Sequence, residues 1–276
     1  MSPLWPEQLG IALYPGRLVL ARTSGGLRRR LLHKEIATFA PAQSNMPPWQ
    51  PAVDALAAKA SAGALARADL TLVLSNSFVH FAVVPWSDTL SSNEEGLAFA
   101  RHCFARVYGG EADDWELRLS SANARKPRLA CAVERKLLDA LSEHLAPLAS
   151  RYRSLQPHLM ASFNRCCARL GESAAWLVVA EPGLLSLALL EDGSWQSVRS
   201  IKVGPDWARE LPQVLEREAY LVDSQSDCDR VLVYAPDSPQ TTIPRLGKWR
   251  IESLVPGLLP GMIAGVDAPF SIVLGA

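Results

Sequence analysis

Trp176-Leu-Val-Val-Ala-Glu-Pro-Gly-Leu-Leu-Ser-Leu-Ala-Leu-Leu-Glu-Asp-Gly-Ser-Trp-Gln-Ser-Val-Arg-Ser-Ile-Lys-Val203 reads as three short strands. An apolar run breaks at Pro182-Gly183, a second apolar run ends at Asp192-Gly193, and a partly alternating third strand follows. Pro-Gly and Asp-Gly are dipeptides at which a chain reverses, because Gly accepts positive φ and Pro fixes its own. The stretch is a β-meander. The same grammar occurs once earlier: Leu9 to Leu13, Pro15-Gly16, Leu18 to Ala21, Gly25-Gly26, then Leu27 to Ala37. Residue identities barely match, so what repeats is element order and turn chemistry. Two such units, each followed by helix-forming sequence, predict two similar α/β lobes.

Composition bounds the rest. The 276 residues are 49% hydrophobic and 20% charged, enough for one large core or two lobes. Lys plus Arg equals Asp plus Glu at 28 each, so no global field draws the chain to nucleic acid or an anionic membrane. Arg28-Arg29-Arg30 is the densest basic cluster and reads as gatekeeping charge on a solvated strand edge. The five cysteines include no Cys-x-x-Cys pair, which fits a reducing compartment rather than a disulfide framework or zinc site. Vicinal Cys166 and Cys167 read as buried thiols of a helix. The N-terminus lacks the pattern of a signal peptide, and Pro and Gly interrupt the most apolar windows before the roughly 20 residues of a spanning helix. No direct membrane insertion is expected.

Between the meanders, Pro41 to Pro51 is a connector and Val53 to Arg67 an Ala-rich helix. Leu70 to Leu74, Ser75-Asn76-Ser77 and Phe78 to Pro85 have the spacing of a hairpin. Ser92 and Glu95 form a capping-box pattern ahead of Leu97, Ala100, Phe104 and Val107, with Gly109-Gly110 as the stop. Glu116 to Ser120 and Leu129 to Val133 predict two strands around an Asn123 to Pro127 turn. Glu134 to Leu148 is an amphipathic helix striped by Leu137, Leu138, Leu141, Leu145 and Leu148. A strand near Tyr152 to Gln156 and a helix from Pro157 to Leu170 lead into the second meander. Asp206 is placed to cap a helix reaching Tyr220, with Pro212 in its path. Val231 to Tyr234, Trp249 to Leu254 and Pro269 to Ala276 complete the apolar pieces.

Catalytic motifs are absent. Gly247-Lys248 is followed by Trp249, not the hydroxyl residue of a P-loop, and there is no Gly-x-Gly-x-x-Gly, His-Glu-x-x-His or Gly-x-Ser-x-Gly. His102 and Cys103 are consecutive helix positions about 100° apart, which does not make a dyad. Glu94-Glu95 and Asp113-Asp114 read as helix-start and turn charge. The eight Trp residues read as partly buried edge aromatics, with a ligand-stacking surface as the alternative.

The order of these elements resembles the actin-like ATPase superfamily. Leu72-Val-Leu-Ser-Asn-Ser-Phe-Val-His-Phe-Ala-Val-Val-Pro85 with the Ser92 helix, and Leu129 to Val133 with the Leu137 to Leu148 helix, are similar to the PilM family and the cytoplasmic part of the GspL family. The resemblance implies a two-lobed α/β actin-like (RNase H-like) fold with mixed sheets and an inserted α+β subdomain. Residues 1–69 would begin the first lobe, 70–153 form the insert and 154–276 hold the second lobe. It also implies a phosphate-binding turn in each meander. In the first, Leu9-Gly10-Ile11 matches the approach, but Ala12 stands at the Asp position and Tyr14 at the Gly position, leaving Tyr14, Pro15 and Gly16 as a vestigial turn. In the second, Ala180 replaces the acid beside Glu181, Pro182 and Gly183, and strand parity points Glu181 away. The Gly-Gly turn on the adenosine side would fall at Ala235-Pro236-Asp237.

The resemblance therefore implies a scaffold without ATP turnover, needing no cofactor, in a type IV pilus or type II secretion-like platform. It would sit in the cytoplasm, peripheral to the inner membrane. It would hold the N-terminal cytoplasmic tail of a bitopic (PilN-like) inner-membrane protein and connect to an assembly ATPase. Ending at Ala276, the chain looks more like PilM than like a GspL chain, unless it is truncated before a membrane helix. The tail is expected on the insert or its junction with the first lobe, with Phe78, Phe81 and Trp86 as candidate contacts and core packing as their other reading. An ATP- and Mg-dependent hydrolase or phosphotransferase using Glu181 or Asp206, and a filament former, are the competing classes.

Overall fold

The computed structural model describes residues 6–274, apart from 27, 64, 66, 67, 89–91, 122–124, 146–150, 223–227, 246 and the side chain of 151. Both predicted meanders form. The first is β1 (Glu7–Tyr14), β2 (Arg17–Thr23) and β3 (Leu31–Thr38), consecutively antiparallel. The chain then passes through helix α1 (Gln50–Ser61) to β4 (Ala68–Leu74), which returns parallel to β1 with Leu9 opposite Leu70. α1 starts before the expected Val53 because Pro51 sits in its first turn, where a missing N–H costs no helical bond. It stops at Ser61, ahead of Gly63 at φ +75°; the rest of the span expected to reach Arg67 lies partly outside the described residues.

The expected hairpin from 70 to 85 does not form. β4 pairs with β1 on one side and with β8 (Arg151–Pro157) on the other, both parallel. β5 (His80–Val84) joins a different, three-stranded sheet in the order β5-β7-β6, with β6 (Trp115–Leu119) and β7 (Arg128–Glu134). A 3-10 turn, Asn76–Phe78, separates β4 from β5. The Ser92–Glu95 capping box is present and opens α2 (Asn93–Tyr108). α3 (Arg135–Leu145) buries Leu137, Leu141 and Leu145; Leu148 and part of the turn before β7 lie outside the described residues. α4 (His158–Leu170) leads into the second meander.

That meander is β9 (Ala175–Glu181), β10 (Leu184–Glu191) and β11 (Ser194–Lys202), again antiparallel. α5 (Trp207–Leu221) follows and runs through Pro212; Asp206 occupies its cap position but its side chain makes no capping bond. β12 (Arg230–Tyr234) is parallel to β9, and β13 (Arg250–Ser253) is parallel to β12. A short helix, α6 (Ala264–Asp267), and a 3-10 segment, Ala268–Val273, end the described chain.

The two five-stranded sheets have one topology. Their orders are β3-β2-β1-β4-β8 and β11-β10-β9-β12-β13, a meander extended by parallel strands on its first member. β4 and β9 are buried at every position, as expected of strands with neighbours on both edges and cover on both faces. By contact the chain divides into two compact units, Met1–Phe78 with Arg135–Asn164 and Pro256–Ala276, and Val79–Glu134 with Arg165–Val255. In the second unit, Trp176, Val178, Leu185, Leu187, Leu211 and Leu215 form one core, while Phe104, Trp115, Leu117 and Ala130 form another under α2.

Candidate functional site

In the first meander, Tyr14 lies opposite Arg17, so Pro15-Gly16 is the entire connection. A turn of this kind meets phosphate through its backbone amides, and Pro15 has none. Tyr14 is 2% exposed; its ring meets the His158 ring edge-on at 5.8 Å, and the Arg17 guanidinium lies 4.4 Å from its centroid. Leu9 through Leu13 are buried without a carboxylate among them. Beside the turn, the Ser75 N–H donates to the Leu13 carbonyl at 2.8 Å. The Ser77 N–H donates to the Ser75 hydroxyl at 3.1 Å, and the buried Asn76 side chain accepts from the Leu159 N–H at 2.9 Å. The roles of His158 and Asn76 were not legible in the sequence, because each lies far along the chain from its partner, Tyr14 or Leu159; Arg17 stands only three positions from Tyr14, but no local pattern marks it.

The second meander has the same register, with Glu181 opposite Leu184 and Pro182-Gly183 between them. Pro followed by Gly183 at φ +77° is the type II arrangement, and both turn residues are exposed. The Val203 N–H closes onto the Gly183 carbonyl at 3.1 Å. Ala180 packs into the core with Leu185 and Leu187, which puts Glu181, itself only 4% exposed, on the opposite face of β9. After β12, the Ser238 N–H returns to the Ala235 carbonyl at 3.1 Å, enclosing Pro236 in a tight turn. Asp206 is exposed at the start of α5. Among the described residues, no group of three or more His, Cys, Asp or Glu is placed to hold a metal ion, and no helix is long and apolar enough to cross a membrane.

The candidate partner contacts fall in three environments. Phe78 ends the 3-10 turn in the first unit and is 6% exposed. Phe81 and Trp86 belong to the second unit. Ala82 and Val84 pack under α2, so Phe81 lies on the other face of β5, partly buried, opposite Cys131. Trp86 stands past the end of β5 and is 42% exposed. On the α2 side, His80 stacks on Trp115 with centroids 4.0 Å apart, and burial there holds its imidazole below the ordinary range despite Glu134 and Glu111. Among the described residues there is no Trp-rich stacking surface: Trp49, Trp115, Trp176, Trp195, Trp207 and Trp249 are buried and Trp86 alone is exposed, while Trp5 lies outside the described residues. Cys166 is buried, with its thiol pushed up to about 11 by burial, whereas Cys167 is exposed, contrary to the expected buried pair.

No family model matches the chain, and no curated protein matches it in sequence. Solved structures do match its fold. One is the cytoplasmic domain of EpsL, an inner membrane component of the type II secretion system of Vibrio cholerae, at TM-score 0.58 and 11% identity over 92% of this chain and 91% of that one. The PilM-PilN type IV pilus biogenesis complex matches at TM-score 0.60 and 15% identity, covering 84% and 82%. A protein of unknown function with an actin-like ATPase fold from Bacteroides thetaiotaomicron matches at 0.52 and 7%, covering 83% and 81%. The chain has an actin-like ATPase fold, and the expected resemblance to PilM and to the GspL cytoplasmic part holds at that level.

Proposed function

We propose, with the actin-like ATPase fold as premise, that this chain is a scaffold of a type IV pilus or type II secretion-like inner-membrane platform. It holds the N-terminal cytoplasmic tail of a bitopic, PilN-like membrane protein, connects to an assembly ATPase, and turns over no ATP. The observation that carries the reading is one substitution made three times. Pro15 and Pro182 occupy the two turns at which this fold would meet phosphate, where each removes an amide that phosphate recognition uses, and Pro236 stands in the adenosine-side turn, where the pattern has Gly-Gly. Ala12 and Ala180 at the acid positions remove the carboxylates that would organise magnesium and water. The fold is shared with EpsL and PilM-PilN, whose names place those proteins in such machines. On this reading the chain works in the cytoplasm, against the inner membrane through its partners, with Phe81 and the exposed Trp86 as the leading tail contacts and the buried Phe78 as the third candidate.

Calorimetric titration with ATP, with and without magnesium, tests the first half of this reading. No binding heat up to about 1 mM ligand is expected, which corresponds to an affinity weaker than about −4 kcal/mol. Magnesium-dependent binding would overturn it. A second reading, a hydrolase or phosphotransferase, is favoured by the buried Glu181 at the β9–β10 turn; loss of any observed turnover in Glu181→Gln would establish it. The partner half is tested by pull-down with the N-terminal cytoplasmic tails of PilN-like bitopic proteins from the same cell. Trp86→Ala and Phe81→Ala proteins that remain folded should lose capture, and undiminished capture by both would exclude this surface.

A further inference from the structure

The sheet of the first unit ends at β3. β2 occupies one edge of β3 from Arg17–Thr38 to Thr23–Leu31, and no described strand pairs with the other. Natural sheet edges are commonly protected by charges standing over them. Here the central charges are engaged elsewhere: Lys34 pairs with buried Asp267, and Glu35 pairs with Lys59 of α1. Adjacent strand residues point to opposite faces, so these two charges are drawn to the two faces of the sheet. Exposed along the strand are Leu32 at 51% and Ile36 at 38%, together with His33, Lys34 and Thr38.

Where β3 begins, Arg28, Arg29, Arg30 and Leu31 line a cleft of about 920 Å³ together with Leu259, Pro260, Gly261 and Met262. Arg29 is anchored, donating to the Leu274 carbonyl at 3.2 Å. Among the described residues, Arg28 and Arg30 form no ion pair, and no carboxylate lines the cleft. A chain of zero net charge thus gathers three guanidinium groups around an apolar hollow at the end of an open strand.

We propose that the outer edge of β3 and this cleft form one docking site for an extended partner segment. The segment adds a strand to β3, places an apolar side chain against Leu259 and Met262, and presents carboxylates to Arg28 and Arg30. Unpaired backbone groups along an edge give affinity to another strand, and guanidinium groups give bidentate recognition of carboxylates. The cleft is concave and shares Leu31 with the start of β3, which fits a peptide rather than a flat lipid surface. The site uses none of the residues assigned to the membrane partner's tail and does not depend on that assignment.

The test uses the full chain and labelled synthetic peptides of alternating Val and Thr, with Asp and Glu at one end or the other so that both strand directions are sampled. At least one acidic peptide should bind by fluorescence anisotropy and slow amide exchange across residues 31–38. Affinity should fall at least about tenfold with Arg28→Glu/Arg30→Glu and with Lys in place of the acids. The same loss is expected when alternate peptide amides are N-methylated, which leaves side chains intact but removes the strand's donors. Arg28→Gln/Arg30→Gln, a milder change at the same positions, should give an intermediate loss in protein with an unchanged thermal midpoint. Failure of both acidic peptides to bind, equal binding of the Lys peptides, or no slowing at 31–38 overturns the proposal. So does binding to phosphatidylglycerol vesicles, but not phosphatidylcholine vesicles, by protein that ignores the peptides.

Discussion

A methyl group built on Gly10 would sit 2.0 Å from the carbonyl oxygen of Val273 and 2.8 Å from its Cβ. The 3-10 segment can lie on β1 because residue 10 has no side chain, and neither partner is the flexible end of a side chain that could swing away. Gly10→Ala is expected to cost about 3 kcal/mol in urea unfolding and to expose the 268–274 segment to protease in native conditions. His80 carries a second residue-scale expectation. Its folded pKa is lowered, chiefly by burial against Trp115 and Tyr108, so the unfolded state binds the proton more tightly. Its contribution to stability is present above the unfolded value of about 6.5 and is lost as pH falls from there through the lowered folded value. Stability measured from pH 8 to pH 5 should therefore decline less steeply in His80→Phe than in the parent. Cys166 and Cys167, adjacent in sequence, should also separate: iodoacetamide at pH 8 is expected to label exposed Cys167 well before Cys166, whose buried thiol is pushed up to about 11. Sequence placed both in a helix but could not assign their faces, because consecutive helix residues diverge and only packing decides which points inward.

At the scale of elements, short-range chemistry was legible and long-range pairing was not. Pro-Gly and Asp-Gly turns, the Ser92–Glu95 box and the leucine stripe of α3 each act within a few residues, and each appears where the sequence placed it. The hairpin predicted across Ser75 to Ser77 failed because the apolar period that marks two strands does not say which strand each will join. β4 gains two parallel neighbours, β1 and β8, in place of one antiparallel neighbour, and is buried along its whole length. Breaking the hairpin gives Asn76 its role. α4 follows Pro157, which has no side-chain acceptor, and the Asn76 oxygen takes the Leu159 N–H in its place. Asn76→Ala should cost about 1 to 2 kcal/mol in thermal or urea unfolding, the cost of losing a helix cap.

Across the whole molecule, two sheets of different sequence share one strand order, and both carry a two-residue Pro-Gly hairpin at the same register position. A protein that retained the fold without phosphate recognition should show no rise in thermal midpoint with ATP and magnesium. A ligand present at 100 times its dissociation constant would add about 2.7 kcal/mol, so a scanning experiment would detect it readily. The sequence by itself determined the two meanders, the helix between each meander and its first parallel strand, and the Pro residues in the turns after β1, β9 and β12. Those features follow from turn geometry and residue chemistry, which act over a few positions. Only the tertiary structure decided that β4 and β5 part company, that Phe78 is buried while Trp86 is exposed, and that Arg28 to Arg30 line a cleft with Leu259 to Met262. Such outcomes depend on which distant segments meet, and hydrophobic periodicity records how much of a residue is buried without recording against what.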